Sequence, residues 1–80
     1  MKITLFYSPS CPFCSKVLEH IHQHAIPCTL ADLSQLPAYK TELLEFGGKA
    51  QVPCLKIDDT FLYESDSIIQ WLEKNKERLS

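Results

Sequence analysis

Two of the four cysteines stand three apart, in the stretch Tyr7-Ser8-Pro9-Ser10-Cys11-Pro12-Phe13-Cys14. The stretch follows a short β-prone apolar run and opens an amphipathic segment, so the pair falls at a strand-to-helix junction. That position suits thiol–disulfide chemistry for an electrostatic reason. Cys11 occupies the expected helix N-cap, where its sulfur faces unpaired backbone N–H groups and the positive end of the helix dipole. Both stabilise negative charge on sulfur, and the thiolate is the nucleophilic form. Pro12 takes the first helical position, where its missing N–H costs nothing and its fixed φ suits the turn. Cys14, one turn further in, reaches the Cys11 sulfur but is more hidden. Cys11 is therefore the attacking thiol and Cys14 the resolving one.

A Cys-x-x-Cys pair can also be half of a structural zinc site, but that needs a second pair at suitable spacing. Cys28 and Cys54 stand singly in predicted strands. Cys28 reads as a buried small hydrophobe. Cys54, directly after Pro53, is placed either near the cysteine pair or, by strand alternation, in the core. His20, His22 and His24 alternate along the first helix; His20 and His24 share a face while His22 points elsewhere. With no acidic or cysteine ligand nearby in sequence they read as a solvated polar face, and no metal is expected.

The elements that must position the cysteines follow from periodicity. Ile3 to Tyr7 is a strand covered on both faces. Val17, Leu18, Ile21 and Ala25 recur at helical spacing, predicting a helix from about Pro12 to His24, stopped by Pro27. Cys28 to Asp32 reads as a second strand, parallel to the first because a helix crosses over between them. Leu36, Tyr39, Leu43, Leu44 and Phe46 form the apolar face of a second helix, with Pro37 near its start and Gly47-Gly48 at its end. Val52 to Ile57 and Thr60 to Tyr63 form a hairpin turning at Asp58-Asp59. Ser65 or Asp66 caps a last helix marked by Ile68, Ile69 and Leu72. Its charged tail, Glu73 to Ser80, is expected to fray. The order βαβαββα predicts an α/β fold with one four-stranded mixed sheet flanked by helices.

Eighty residues suit a single domain over 1–80, with a small but adequate core. A hydrophobic content of 45% and a charged content of 22% are ordinary for a soluble globular chain. The net charge of −2 gives no reason to expect a nucleic-acid surface. No stretch has the length of a membrane span, and Met1 to Tyr7 is too short an apolar run for a signal peptide. A cytoplasmic monomer with reduced thiols is the default expectation.

With the element order and Cys11-Pro12-Phe13-Cys14 in view, the chain resembles a glutaredoxin, of the thioredoxin-fold superfamily, over essentially its whole length. Gln51-Val52-Pro53 stands where that family carries a Thr-Val-Pro-like motif, and the resemblance implies a cis Val52–Pro53 bond facing the cysteines. It also implies that the Val52 backbone pairs with the cysteinyl part of bound glutathione, like an added strand. Tyr63-Glu64-Ser65-Asp66 matches the turn that binds the γ-glutamyl end: Ser65 and the helix N-terminus for the carboxylate, Asp66 for the α-amino group. Capping alone would explain the same two residue types. Many glutaredoxins have Gly-Gly where this chain has Tyr63-Glu64, and Glu64-Ser65 is instead similar to the Glu-Ser pair of glutathione transferase N-terminal domains. Many also carry a lysine where this chain has Ser8, which leaves Lys49 or Lys40 as candidates for the glycyl carboxylate. The Phe13 ring is placed to flank the tripeptide.

The resemblance implies a dithiol glutaredoxin. It would reduce glutathionylated proteins and protein disulfides through Cys11 and Cys14, with glutathione as co-substrate. Three other readings remain at this point: a thioredoxin-like redoxin served by a reductase protein, a glutathione- or iron–sulfur-binding module, and a detached transferase-like domain. Pro12 stiffens the turn where cluster-bearing relatives usually lack it, which counts against a cluster.

Overall fold

A computed structural model describes residues 2–79. Strand β1 (Ile3–Tyr7) runs parallel to β2 (Thr29–Asp32) across helix α1 (Pro12–Gln23). Helix α2 (Pro37–Glu42) leads into a π-helical turn, Leu43–Gly47, then to the antiparallel hairpin of β3 (Cys54–Ile57) and β4 (Thr60–Tyr63), and α3 (Ser65–Leu79) follows. The sheet order is β2-β1-β3-β4, with β3 antiparallel to β1. This is the expected thioredoxin-like arrangement.

Strand alternation divides the core in two. Ile3, Leu5 and Leu55 face one way and pack against Val17 and Ile21 of α1 and Ile68 and Leu72 of α3. Phe6, Ala31 and Cys54 face the other way, beneath Leu43 and Tyr39. Phe6 pairs with Cys54 across the β1–β3 ladder, and Cys54 pairs with Tyr63 across the next. Cys54 is therefore a core residue, its thiol pushed up to about 11 by burial.

Several expectations need correction. The second helix is not one regular amphipathic unit: the π-helical turn widens its last stretch, so Leu43 is fully buried while Leu44 and Phe46 face solvent, as does Leu36 before its start. Gly47 explains where it ends, because a Cβ there would overlap the Tyr63 hydroxyl and press on the Phe61 ring. Gly48, at φ +90°, turns the chain out. Ala25 lies past α1 and is exposed. Its φ of +49° makes it the left-handed residue of a Schellman turn, with Ala25 N–H bonded to His22 C=O at 3.2 Å and Ile26 N–H to Ile21 C=O at 3.0 Å. Strand β2 begins at Thr29, leaving Cys28 half-buried at the sheet edge, its thiol raised to about 11 by desolvation. The charged tail does not fray: α3 runs to Leu79, which is buried in the first core cluster. Ser80 lies outside the described residues.

His20 departs from the expected solvated face. Its side chain is only 13% exposed, packed between α1 and α3, whereas His22 is exposed as expected. Burial, and then the neighbouring His24, lower its pKa.

Candidate thiol and peptide-binding site

The site assembles where three chain turns meet at one end of the sheet. At the first, Cys11 is the N-cap of α1, with extended backbone angles, and its sulfur accepts the Cys14 N–H at 3.3 Å. That bond satisfies one of the orphan donors of the helix start and directs a backbone dipole at the reactive atom. Pro12 holds the first helical position. The Ser8 carbonyl accepts the Cys11 N–H at 3.1 Å and closes the turn from β1. Cys14 is fully buried, and its thiol is pushed up to about 12, first by burial and then by its hydrogen bond to Cys11. The two thiols are thus unequal: a half-buried sulfur that accepts one backbone N–H, and a buried thiol that keeps its proton at neutral pH.

At the second turn, the Val52–Pro53 bond is cis, as the resemblance implied. Strand β3 begins only at Cys54, so the Val52 backbone stands outside the sheet ladder. Its carbonyl lies 4.0 Å from the Cys11 sulfur, within reach of a thiol donor. This contact joins residues forty-one apart in sequence.

The third turn precedes α3. Glu64 has φ +74° and its carbonyl accepts the Ile68 N–H at 3.0 Å, so Glu64, not Ser65 or Asp66, is the capping residue. Ser65 is the first helical residue and is buried; Asp66 follows, exposed. The N–H groups of Ser65, Asp66 and Ser67 precede the first intrahelical bond and are available at the helix mouth. The left-handed conformation accounts for the glycines found at this turn in many glutaredoxins, a conformation that costs a glutamate about 1 kcal/mol or more. Part of that cost is offset by a hydrogen bond from Gln51 Nε2 to Glu64 Oε1 at 3.0 Å, which ties the second turn to the third.

A groove of about 270 Å³ runs between these turns, lined by Phe13, Gln51, Val52, Pro53, Glu64, Ser65 and Asp66. Seven of the nine residues singled out for glutathione therefore meet in one cavity. Lys49 is not among them: its ammonium lies 4.6 Å from the centre of the Tyr63 ring, and its carbonyl accepts the Tyr63 hydroxyl at 2.8 Å. Lys40 is exposed on α2 and does not line the groove either. The cation at the rim is one that sequence reasoning passed over. Lys16, two residues past Cys14 on α1, donates to Asp66 Oδ1 at 2.7 Å. Both partners are more than half exposed, so the pair is worth little in stability and exchanges readily with a ligand. Its signal in the sequence was weak, since it depends on α1 and α3 lying side by side. A larger cavity of about 730 Å³ sits on the α2 face, beside Phe46 and Phe61, and holds no cysteine.

The arrangement offers a nucleophilic sulfur, an unpaired stretch of backbone beside it and a helix N-terminus at the far end. An extended peptide carrying its own sulfur and a terminal carboxylate fits that combination. Known proteins share the frame. The chain is 35% identical over 66 residues to glutathione S-transferase DHAR3 of Arabidopsis thaliana, a match that covers 80% of this chain and 24% of that protein. It spans about a quarter or less of the curated relatives it matches. Glutathione transferase Omega 3C from Trametes versicolor superposes with a TM-score of 0.81 at 18% identity, covering 100% of this chain and 36% of that one. The holo form of glutaredoxin C1 from Populus tremula x tremuloides does so at 0.71 and 18% identity, covering 95% and 78%. These two likenesses bear out the fold. The model of the glutathione S-transferase N-terminal domain matches residues 5–78, a span that takes in Cys11, the Val52–Pro53 turn and the Glu64–Asp66 turn together, and the chain belongs to that family.

Proposed function

We propose that the chain is a glutathione-dependent thiol–disulfide oxidoreductase working through Cys11. The observation that carries this reading is the Cys11 sulfur at the N-cap of α1, accepting the Cys14 N–H and lying beside the Val52 carbonyl at the groove. Glutathione would lie along the groove with its cysteinyl backbone against Val52. Its γ-glutamyl carboxylate would sit on the N-terminus of α3, and its amino group would exchange with Lys16 for Asp66.

With a glutathionylated protein, the Cys11 thiolate attacks the glutathione sulfur. The Cys11–glutathione disulfide forms and the protein thiolate leaves. A second glutathione thiolate attacks that disulfide on the glutathione sulfur, releasing glutathione disulfide and restoring Cys11. With a protein disulfide, Cys14 displaces the substrate from the Cys11 mixed disulfide, leaving a Cys11–Cys14 bond that two glutathiones reduce. Burial, the first cause of the raised Cys14 pKa and one that persists in the mixed disulfide, slows this second route, since the attacking species is the thiolate. Reduced thiols at rest, as in a cytoplasmic setting, suit both routes.

Turnover of a small glutathione mixed disulfide, coupled to glutathione and glutathione reductase, tests the reading. Activity should vanish in Cys11→Ser and largely survive in Cys14→Ser. Activity retained without Cys11 would sink the assignment. Family membership and the protonated state of Cys14 favour one further reading, a transferase-type domain in which Cys11 acts alone. It is distinguished by a Cys14→Ser variant that loses no activity even on protein disulfides.

A further inference from the structure

We propose that His20, His24 and Glu73 form a binding site for a zinc-class divalent cation, clamping the C-terminal end of α1 to α3. Sequence spacing placed the two histidines on one helix face but offered no third ligand. The tertiary structure supplies it. Glu73 Oε1 lies 3.4 Å from His20 Nε2 and 3.5 Å from His24 Nε2, and the three ligand atoms all fall within 4.8 Å of one another. Zinc bonds of 2.0–2.1 Å in tetrahedral geometry put neighbouring ligand atoms about 3.4 Å apart. Two of the three edges already have that length, and the third closes by a small turn of the exposed His24 ring. Three protein ligands leave a fourth position for water or an incoming ligand.

Ordinary ion pairing explains the cluster less well. His20 Nε2 is buried and makes no hydrogen bond, although Glu73 Oε1 is 3.4 Å away. An imidazolium there would aim its N–H at the carboxylate. The two rings lie with centroids 4.4 Å apart, and both Nε2 atoms converge on the same Glu73 oxygen. Lys76 is the opposing charge, and it is taken up by the other oxygen, with Nζ 3.4 Å from Glu73 Oε2, leaving Oε1 for the metal. The helix itself contributes, because the last turn of α1 presents carbonyl dipoles that favour a cation. Two imidazoles and one carboxylate suit zinc rather than magnesium or calcium, which prefer all-oxygen sites. Nothing in this inference depends on the thiol chemistry, since Cys11 stands roughly 14 Å away along the helix, nine residues at 1.5 Å each.

The test is calorimetric titration of the reduced chain with Zn²⁺, alongside its melting temperature with and without the ion. Cys11→Ser/Cys14→Ser serves as a background in which the thiol pair cannot bind metal. One Zn²⁺ per chain should bind in that background and raise the melting temperature, because only the folded state holds the ligands together. His24→Gln and Glu73→Gln should each weaken binding at least about tenfold, and His22→Gln should leave it unchanged. His24 is exposed, so His24→Gln keeps the fold, which the metal-free melting temperature verifies. Nitrogen-15 spectra of the histidine rings should shift at His20 and His24 but not His22. Binding that disappears with Cys11 and Cys14, or that is indifferent to His24→Gln and Glu73→Gln, overturns the site. Failure here leaves the glutathione assay untouched, and failure of that assay leaves this site untouched.

Discussion

The two ends of α1 do opposite things with the same helix. At its N-terminus, unpaired N–H groups and the positive dipole end meet the Cys11 sulfur, and the groove beside it lies open to solvent. At its C-terminus, the Schellman turn at Ala25 closes the backbone, and the side chains there are imidazoles facing a carboxylate from α3. One end favours a bound anion and the other a bound cation, as the macrodipole dictates. The difference teaches where reactivity is stored. The N-terminal end keeps donors in reserve for a ligand, whereas the C-terminal end spends its carbonyls within the chain and relies on side chains brought from elsewhere.

The largest way to sharpen this contrast is alkaline pH. Cys14, held at about 12 against an ordinary 9.0, is neutral in the folded chain at pH values where the unfolded chain ionises it. Between pH 9 and 12 the unfolded state therefore binds fewer protons, and stability must fall as pH rises. The loss is at most about 1.4 kcal/mol per pH unit for Cys14, with Cys54 and Cys28 adding the same way up to about 11. Urea denaturation should show this decline above pH 9 and a shallower one in Cys14→Ala. An unchanged slope in that variant would mean that burial does not hold the thiol neutral.

Next in size is a change midway along the helix. Val17 is fully buried, three residues from Cys14 on one side and three from His20 on the other. Val17→Ala should cost about 1–3 kcal/mol by denaturation and loosen both ends together, lowering glutathione turnover and zinc affinity in the same variant. Loss at one end only would show that the ends are anchored separately.

Smaller, and opposite in sign, is Ala25→Gly. The left-handed φ of +49° strains alanine but not glycine, so unfolding free energy should rise by about 0.5–1 kcal/mol with no effect on turnover. A destabilised variant would refute the reading of this turn. The smallest effect belongs to Lys16→Ala, which should leave stability within about 0.5 kcal/mol because the Lys16–Asp66 pair is exposed. A larger loss in the melting curve would make the pair a structural tie rather than an exchangeable rim contact.

Much of the site was legible because its determinants are local. An N-cap cysteine followed by proline specifies its own surroundings within four residues, and strand and helix periodicity gave the sheet its membership. The N-cap of α3 was misplaced by one or two residues because Ser65 and Asp66 have capping chemistry, whereas Glu64 wins the position through backbone conformation. The second helix was misread because a pattern with period 3.6 carries no mark of a π-helical turn.

By itself, then, the sequence determined the identities and local poses of the reactive groups: Cys11 at a helix mouth, Cys14 a turn inside, proline at the head of β3, two histidines on one face of α1. Tertiary structure alone decided which groups meet. It set Val52 beside Cys11, Gln51 against Glu64, Lys16 on Asp66, and Glu73 between His20 and His24. The physical reason is range. Caps, turns and periodicity act over a few residues, while these encounters join positions thirteen to more than fifty apart, brought together by the pairing of β1, β3 and β4 and by the packing of α1 against α3.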